Sequence, residues 1–200
     1  MNLHTNRADF TALTTFTAKH FNVVPAFVEK DYWITLVLNR LAHSDNVENA
    51  VFKGGTSLSK GYRIISRFSE DIDIAMINEN LSGNALFSFS ENPRRALAAK
   101  IRHFYDLYYL ANDAECAAYI QTANLKTDFA ELLAHDKQAF DTPASWNEKE
   151  ITQSPLVTDF PALWNFLKDV YLTELPQLAF VAVPMESEVA KVFIQIVEQL

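Results

Sequence analysis

Glu70, Asp71 and Asp73 crowd into the run SEDIDIAM, where acidic and apolar residues alternate. Like charges repel, so this crowding implies a bound cation. On a strand alternate side chains face the same way, which sets Asp71 and Asp73 about 6.5–7 Å apart along one wet face. Two carboxylates at that spacing can converge on a divalent ion and on a second one about 3.5–4 Å away. Magnesium fits oxygen-only ligands and keeps waters while also holding substrate phosphates. Upstream, Gly54-Gly55 lets the main chain approach a phosphate, and Thr56, Ser57 and the start of a short helix supply donors. Two acids for metal and a glycine turn for phosphates are the parts that phosphoryl or nucleotidyl transfer needs. Taken singly, a glycine pair is a turn and an acid-x-acid run an exposed face; their order along the chain points to chemistry.

These residues need elements to hold them. AVFKG reads as a short strand ending at the glycine pair, TSLSKGY as the first turns of a helix, and DIDIAMI as the acidic strand. Before them, residues 5–21 read as a helix capped at Thr5 or Asn6. Pro25 then opens a second helix, with Val28, Ile34, Val37, Leu38 and Leu41 on its apolar stripe. Residues 78–92 are weakly patterned and read as a linker. Pro93 opens one long helix with Leu97, Ile101, Phe104, Tyr108 and Ala111 on its inner face, and further helices follow at about 114–121, 123–139, 160–173 and 185–200.

Charge is unevenly spread: residues 1–112 hold twelve Lys/Arg against eleven Asp/Glu, residues 113–200 five against fourteen. A net charge of −8 excludes a generic polyanion binder. The local basic runs Lys53, Lys60, Arg63, Arg67 and Arg94, Arg95, Lys100, Arg102 suit a phosphate-bearing ligand; as solvated helix faces they would carry no function. The 200 residues suit one domain or two small ones. No apolar run is long enough to span a bilayer, and the lone Cys116 allows no intrachain disulfide, so a cytoplasmic protein without a membrane partner is expected. The five His show no metal-ligand spacing, which argues against zinc, and Cys116 is expected to be buried and inert. Glu29, Lys30 and Asp31 read as the solvated side of their helix, and Tyr32, Trp33 and the Tyr108-Tyr109 pair as packing residues.

The glycine pair, short helix and D-apolar-D strand together resemble the signature of the DNA polymerase β-like nucleotidyltransferase superfamily. More narrowly, FKGGTSLSKGY…ISRFSEDIDI is similar to the first motif of the AbiEii/AbiGii family of nucleotidyltransferase toxins, which shares the long gap between Gly55 and Asp71. VEKDYWITLVLNRL at 28–41 resembles the helix preceding that motif, and KIRHFYDLYYL at 100–110 the helical motif following it. The resemblance implies an α+β chain: a small polymerase β-like core with a mixed sheet over residues 1–90, then an all-helical domain over 91–200. It implies that Asp71 and Asp73 bind magnesium, two ions during catalysis. Lys53, Gly54, Gly55, Thr56 and Ser57 would hold the triphosphate, and Arg67 and Ser69 would flank the nucleotide. Asp106 would act on the incoming hydroxyl or orient a neighbouring base. Arg102 and Asp106 stand at i, i+4, so the same residues also suit a surface ion pair worth under about 1 kcal/mol.

By the same resemblance the substrates are an NTP and an RNA acceptor, in some members the tRNA acceptor end, and the partner is a cognate antitoxin. Two other readings use the same residues: a catalytically silent member that binds only nucleotide or a partner, and a phosphotransferase working in the same cleft. A polymerase β-like core also needs a further strand after the acidic one, usually with a third carboxylate, and the family places a lysine-bearing helical segment before YDLY. Residues 78–92 are too few for both. A chain break between Ile77 and Ser90 is therefore expected, marking a missing stretch.

Overall fold

The computed structural model describes residues 2–45, 47–69, 71–76, 93–139 and 153–200. Among them the chain is mostly helical with one two-stranded sheet. It divides into two compact units, each discontinuous in sequence: Met1–Glu79 with Thr173–Val183, and Asn80–Leu172 with Pro184–Leu200.

The first unit begins with α1 (Arg7–Phe21). Asn6 caps it by accepting from the N–H groups of Ala8 and Asp9, and Asn22 ends it in the left-handed conformation that closes many helices. Pro25 occupies the first turn of α2 (Pro25–Ala42), where its missing N–H costs nothing. The two helices pack on each other, and the rings of His4, Phe10, Tyr32 and Trp33 cluster against them. The stripe expected on α2 is only partly inside. Ile34 is buried, but Val37 is 50% exposed, because a two-helix layer covers one narrow side of α2.

Strand β1 (Ala50–Lys53) runs directly into a helical turn, α3 (Gly54–Thr56), continued by a wider π-type turn over Ser57–Gly61. Strand β2 (Asp73–Met76) pairs antiparallel with β1, Ala50 opposite Met76 and Lys53 opposite Asp73. The expected mixed sheet is thus, among the described residues, an antiparallel pair, and the strand expected from Asp71 begins at Asp73. Residues 77–92, where the linker and the chain break were expected, lie outside the described residues.

The core of this unit includes Ala18, Ile65 and Phe68, together with Leu175, Leu178 and Ala179 from far along the chain. Residues 66–68 and 178–180 meet as a short antiparallel bridge. Phe68 N–H donates to the Leu178 carbonyl (2.9 Å) and Phe180 N–H to the Ser66 carbonyl (3.0 Å). The Phe68 and Phe180 rings pack edge to face at 4.7 Å beside that bridge.

The second unit is helical: α4 (Pro93–Ala98), α5 (Ile101–Asn112), α6 (Ala114–Ile120), α7 (Asn124–Ala139), α8 (Pro155–Thr158), most of α9 (Phe160–Leu178) and α10 (Glu186–Val197). The single helix expected after Pro93 is two. Lys100 N–H bonds to the Leu97 carbonyl, a tight i→i+3 closure that ends α4, and Lys100 itself leaves helical geometry. Restarting at Ile101 fully buries Ile101 and Tyr105, with Phe104 nearly so. Phe104, Phe160 and Phe193 close the core, with Phe160 and Phe193 centred 4.4 Å apart. Trp164 donates its indole N–H to Glu186 (2.6 Å). The helix expected to stop at residue 173 runs on to Leu178 through Pro176, because Leu175 and Leu178 are both buried there.

Candidate active site

The strand-to-helix junction is made by one residue. Lys53 is still extended, and Gly54 turns the chain at φ +74°, a conformation that residues with a Cβ rarely adopt. The space a Cβ would need at Gly54 is occupied by Asp73, whose carboxylate such an atom would overlap, with Cγ 2.8 Å and Cβ 3.1 Å away. At Gly55 the same atom would lie 2.6 Å from Nη2 of Arg67 and 3.3 Å from Oγ of Ser69. The two glycines therefore bring Asp73, Arg67 and Ser69 onto one turn of backbone.

The side chains just beyond the turn are used internally. Thr56 is fully buried and donates its hydroxyl to the Asp71 carbonyl at 2.5 Å. Ser57 is 5% exposed and donates to the Gly54 carbonyl at 2.8 Å. Gly54 is exposed and Gly55 half-buried, so the main chain of this turn that a ligand can reach is that of the two glycines. Asp71 and Asp73 are both exposed, as expected of the wet side.

The basic run comes apart in three dimensions. Arg67 is 3% exposed, its guanidinium against Gly55 and donating to the Phe68 carbonyl at 2.9 Å. A buried guanidinium needs such partners to offset its lost hydration. Lys60 pairs with Asp31 at 2.8 Å, so Asp31 is half-buried rather than part of a solvated run, while Glu29 and Lys30 are exposed as expected. Lys53 and Arg63 are exposed. The Thr56–Asp71 and Lys60–Asp31 links carried no signal in the sequence, since no spacing rule joins residues so far apart.

Asp71 and Asp73 fit magnesium on the chemistry of the donor set: two accessible carboxylates, hard oxygen ligands, with Asp73 held over a bare glycine. Magnesium is usually bound through one or two carboxylates plus waters and substrate phosphates, a donor set with which this pair is compatible. Among the described residues no group of three or more His, Cys, Asp or Glu could hold a metal ion, and the third carboxylate expected after the acidic strand is not among them.

Asp106 belongs to the second unit, on α5. It is 5% exposed, among the buried Ile101, Phe104 and Tyr105, with His103 Nδ1 4.0 Å from its carboxylate. The surface ion-pair reading of Asp106 does not survive this burial. Tyr108 and Tyr109 are half-buried packing residues, as expected. Burial, then the nearby Tyr109 and Tyr108, push the Tyr171 phenol far above its ordinary value, and its hydroxyl donates to the Pro184 carbonyl at 3.1 Å. Cys116, in the first turn of α6, is half-buried rather than buried. Burial, then Asp113, raise its thiol pKa, which keeps it protonated and unreactive.

Residues 36–94 match the family model for the nucleotidyl transferase AbiEii toxin, Type IV TA system. The resemblance to AbiEii-type toxins is borne out over this stretch, which runs from Leu36 in α2 to Arg94 in α4. It holds Lys53, the glycine turn, Arg67, Ser69, Asp71 and Asp73, and ends before Asp106. The AbiEii match supports a nucleotidyltransferase toxin of a toxin–antitoxin system. Neither a curated protein nor a solved structure matches the chain. Among the described residues no helix is long and apolar enough to cross a membrane.

Proposed function

We propose that this chain transfers a nucleotide from an NTP to an RNA acceptor, a tRNA end being the first candidate, as the toxin of a type IV toxin–antitoxin pair with a cognate antitoxin. The observation that carries this reading is the convergence of Asp73, Arg67 and Ser69 on the Gly54-Gly55 turn, inside the stretch that matches AbiEii toxins. In the proposed reaction the acceptor hydroxyl attacks the α-phosphorus in line. A new O–P bond forms, the bond to the β-phosphate oxygen breaks and pyrophosphate leaves. Asp71 and Asp73 would hold magnesium, which supplies charge neutralisation on the triphosphate. The backbone of Gly54 and Gly55 grips the phosphates, and Lys53 adds positive charge at the mouth of the turn. Asp106 takes the role the resemblance gives it, acting on the incoming hydroxyl or orienting a neighbouring base.

The test is incubation with each NTP, labelled at the α- or γ-phosphate, and total RNA, followed by sequencing of RNA 3′ ends. The expected result is α-label on RNA 3′ ends that disappears in Asp71→Ala and Asp73→Ala. Transfer of γ-label instead would make the protein a phosphotransferase, and nucleotide retention without transfer a silent binding member.

A further inference from the structure

Thr56 is placed by family resemblance among the residues that hold phosphates, yet its side chain has no exposed surface for a ligand to touch. Its hydroxyl is committed to the main-chain carbonyl of Asp71, fifteen residues further along. Asp71 has no ladder of its own, because pairing between β1 and β2 begins at Asp73. The chain around Asp71 is thus fastened to the glycine turn through the Thr56 hydroxyl, while Asp73 is fixed by the ladder and by its seat on Gly54. The methyl group of Thr56 fills buried space, so a threonine satisfies both packing and the bond.

We propose that Thr56 is a positioning residue: it sets the Asp71 carboxylate relative to Asp73 and does not bind nucleotide. This rests on the reading that Asp71 and Asp73 hold a divalent ion. The two carboxylates reach the ion from different supports, one clamped by the sheet and one by this bond. Releasing the second lets Asp71 drift while the rest of the turn stays in place.

The experiment titrates the protein with Mn²⁺ alone, following the free-ion electron paramagnetic resonance signal, and records melting temperatures of the same samples. Thr56→Ser and Thr56→Ala form a matched pair differing by one oxygen, and Thr56→Val keeps the shape without the donor. Thr56→Ser should bind Mn²⁺ within about twofold of the parent. Thr56→Ala and Thr56→Val should bind about 10-fold more weakly, the loss typical when a residue orienting a metal ligand is removed. At saturating magnesium the KM for NTP should stay the same across the set. Equal Mn²⁺ affinity in Thr56→Ser and Thr56→Ala overturns the proposal, as does a rise in KM for NTP with Mn²⁺ affinity intact, which marks direct phosphate contact. If Thr56→Val fails to fold, the Ser/Ala pair decides alone. A parent with no Asp71-dependent Mn²⁺ binding defeats the metal reading itself, and this proposal falls with it; a parent that binds beside an unaffected Thr56→Ala defeats only the role of Thr56.

Discussion

Replacing Gly54 by alanine separates the cost of the turn from the function of the carboxylate on it. Holding a Cβ-bearing residue in the left-handed region costs about 1–2 kcal/mol, and Gly54 sits at φ +74°. For a chain of this size each kcal/mol lowers the melting temperature by about 2–4 °C, so Gly54→Ala should lose roughly 2–8 °C. The new Cβ also needs the space of the Asp73 carboxylate, 2.8 Å from its Cγ. Rotating Asp73 away relieves the carboxylate but leaves Asp73 Cβ at 3.1 Å, so the whole side chain is displaced. A misplacement of about 1 Å at a reacting centre costs about 100-fold in rate. Nucleotide transfer by Gly54→Ala should fall by that order, far more than the stability loss accounts for under conditions where the variant remains folded. Gly61→Ala is the control: nothing lies within 4 Å of its Cβ and its φ is ordinary. It should keep full activity and gain up to about 1 kcal/mol in stability. Paired thermal melts and labelled-NTP transfer assays on the three proteins decide the matter. Gly54→Ala with transfer within twofold of the parent would refute the claim that the glycine exists to seat Asp73.

Further outcomes are expected elsewhere. Asp71→Ala and Asp73→Ala should each abolish transfer while the melting temperature holds or rises slightly, since both side chains are exposed and charge repulsion is relieved; unchanged catalysis in either removes the metal assignment. Asp106→Asn should lower kcat much more than nucleotide affinity, the mark of a role confined to the transition state; parent-like activity would leave Asp106 a structural residue of α5. Asp113 caps α6, and the backbone N–H of Cys116, then its other bonds to Cys116 and Glu115, hold its carboxyl below the usual carboxylate range against the opposing effect of burial. A depressed folded pKa stabilises above the unfolded value near 3.9 and is lost as pH falls through the folded one. The stability advantage of the parent over Asp113→Asn, in urea melts, should thus be full at pH 7 and shrink below about pH 4; a constant difference would contradict it.

Local signals carried the sequence reading furthest. Asn6 and Pro25 mark the starts of α1 and α2 because caps and first-turn prolines act within three residues of themselves. The glycine turn and the acidic segment were legible for the same reason, and the structure adds that Asp73 lies on Gly54. What failed was set at longer range. The residues at 99–100 carry no helix breaker, so the break between α4 and α5 was invisible; only the burial of Ile101, Phe104 and Tyr105 accounts for it. Val37 matched the apolar period of α2 yet faces solvent, because periodicity gives a face and not the width of what covers it. The helix expected to end near residue 173 runs on through Pro176, because buried Leu175 and Leu178 hold that turn helical.

The bridge between residues 66–68 and 178–180 imposes an order on biosynthesis. Arg67 emerges from the ribosome about 110 residues before Ala179, its partner across the bridge. At roughly 5–20 residues per second, that interval is roughly 5–20 s. Throughout it the nascent chain carries the glycine turn and both aspartates, but not the strap that fixes the segment leading into them. The Arg67 segment therefore matures late, by connectivity alone, and a chain with a premature stop before residue 178 never acquires its final clamp. For the toxin role proposed above, translation itself becomes the first timer on activity.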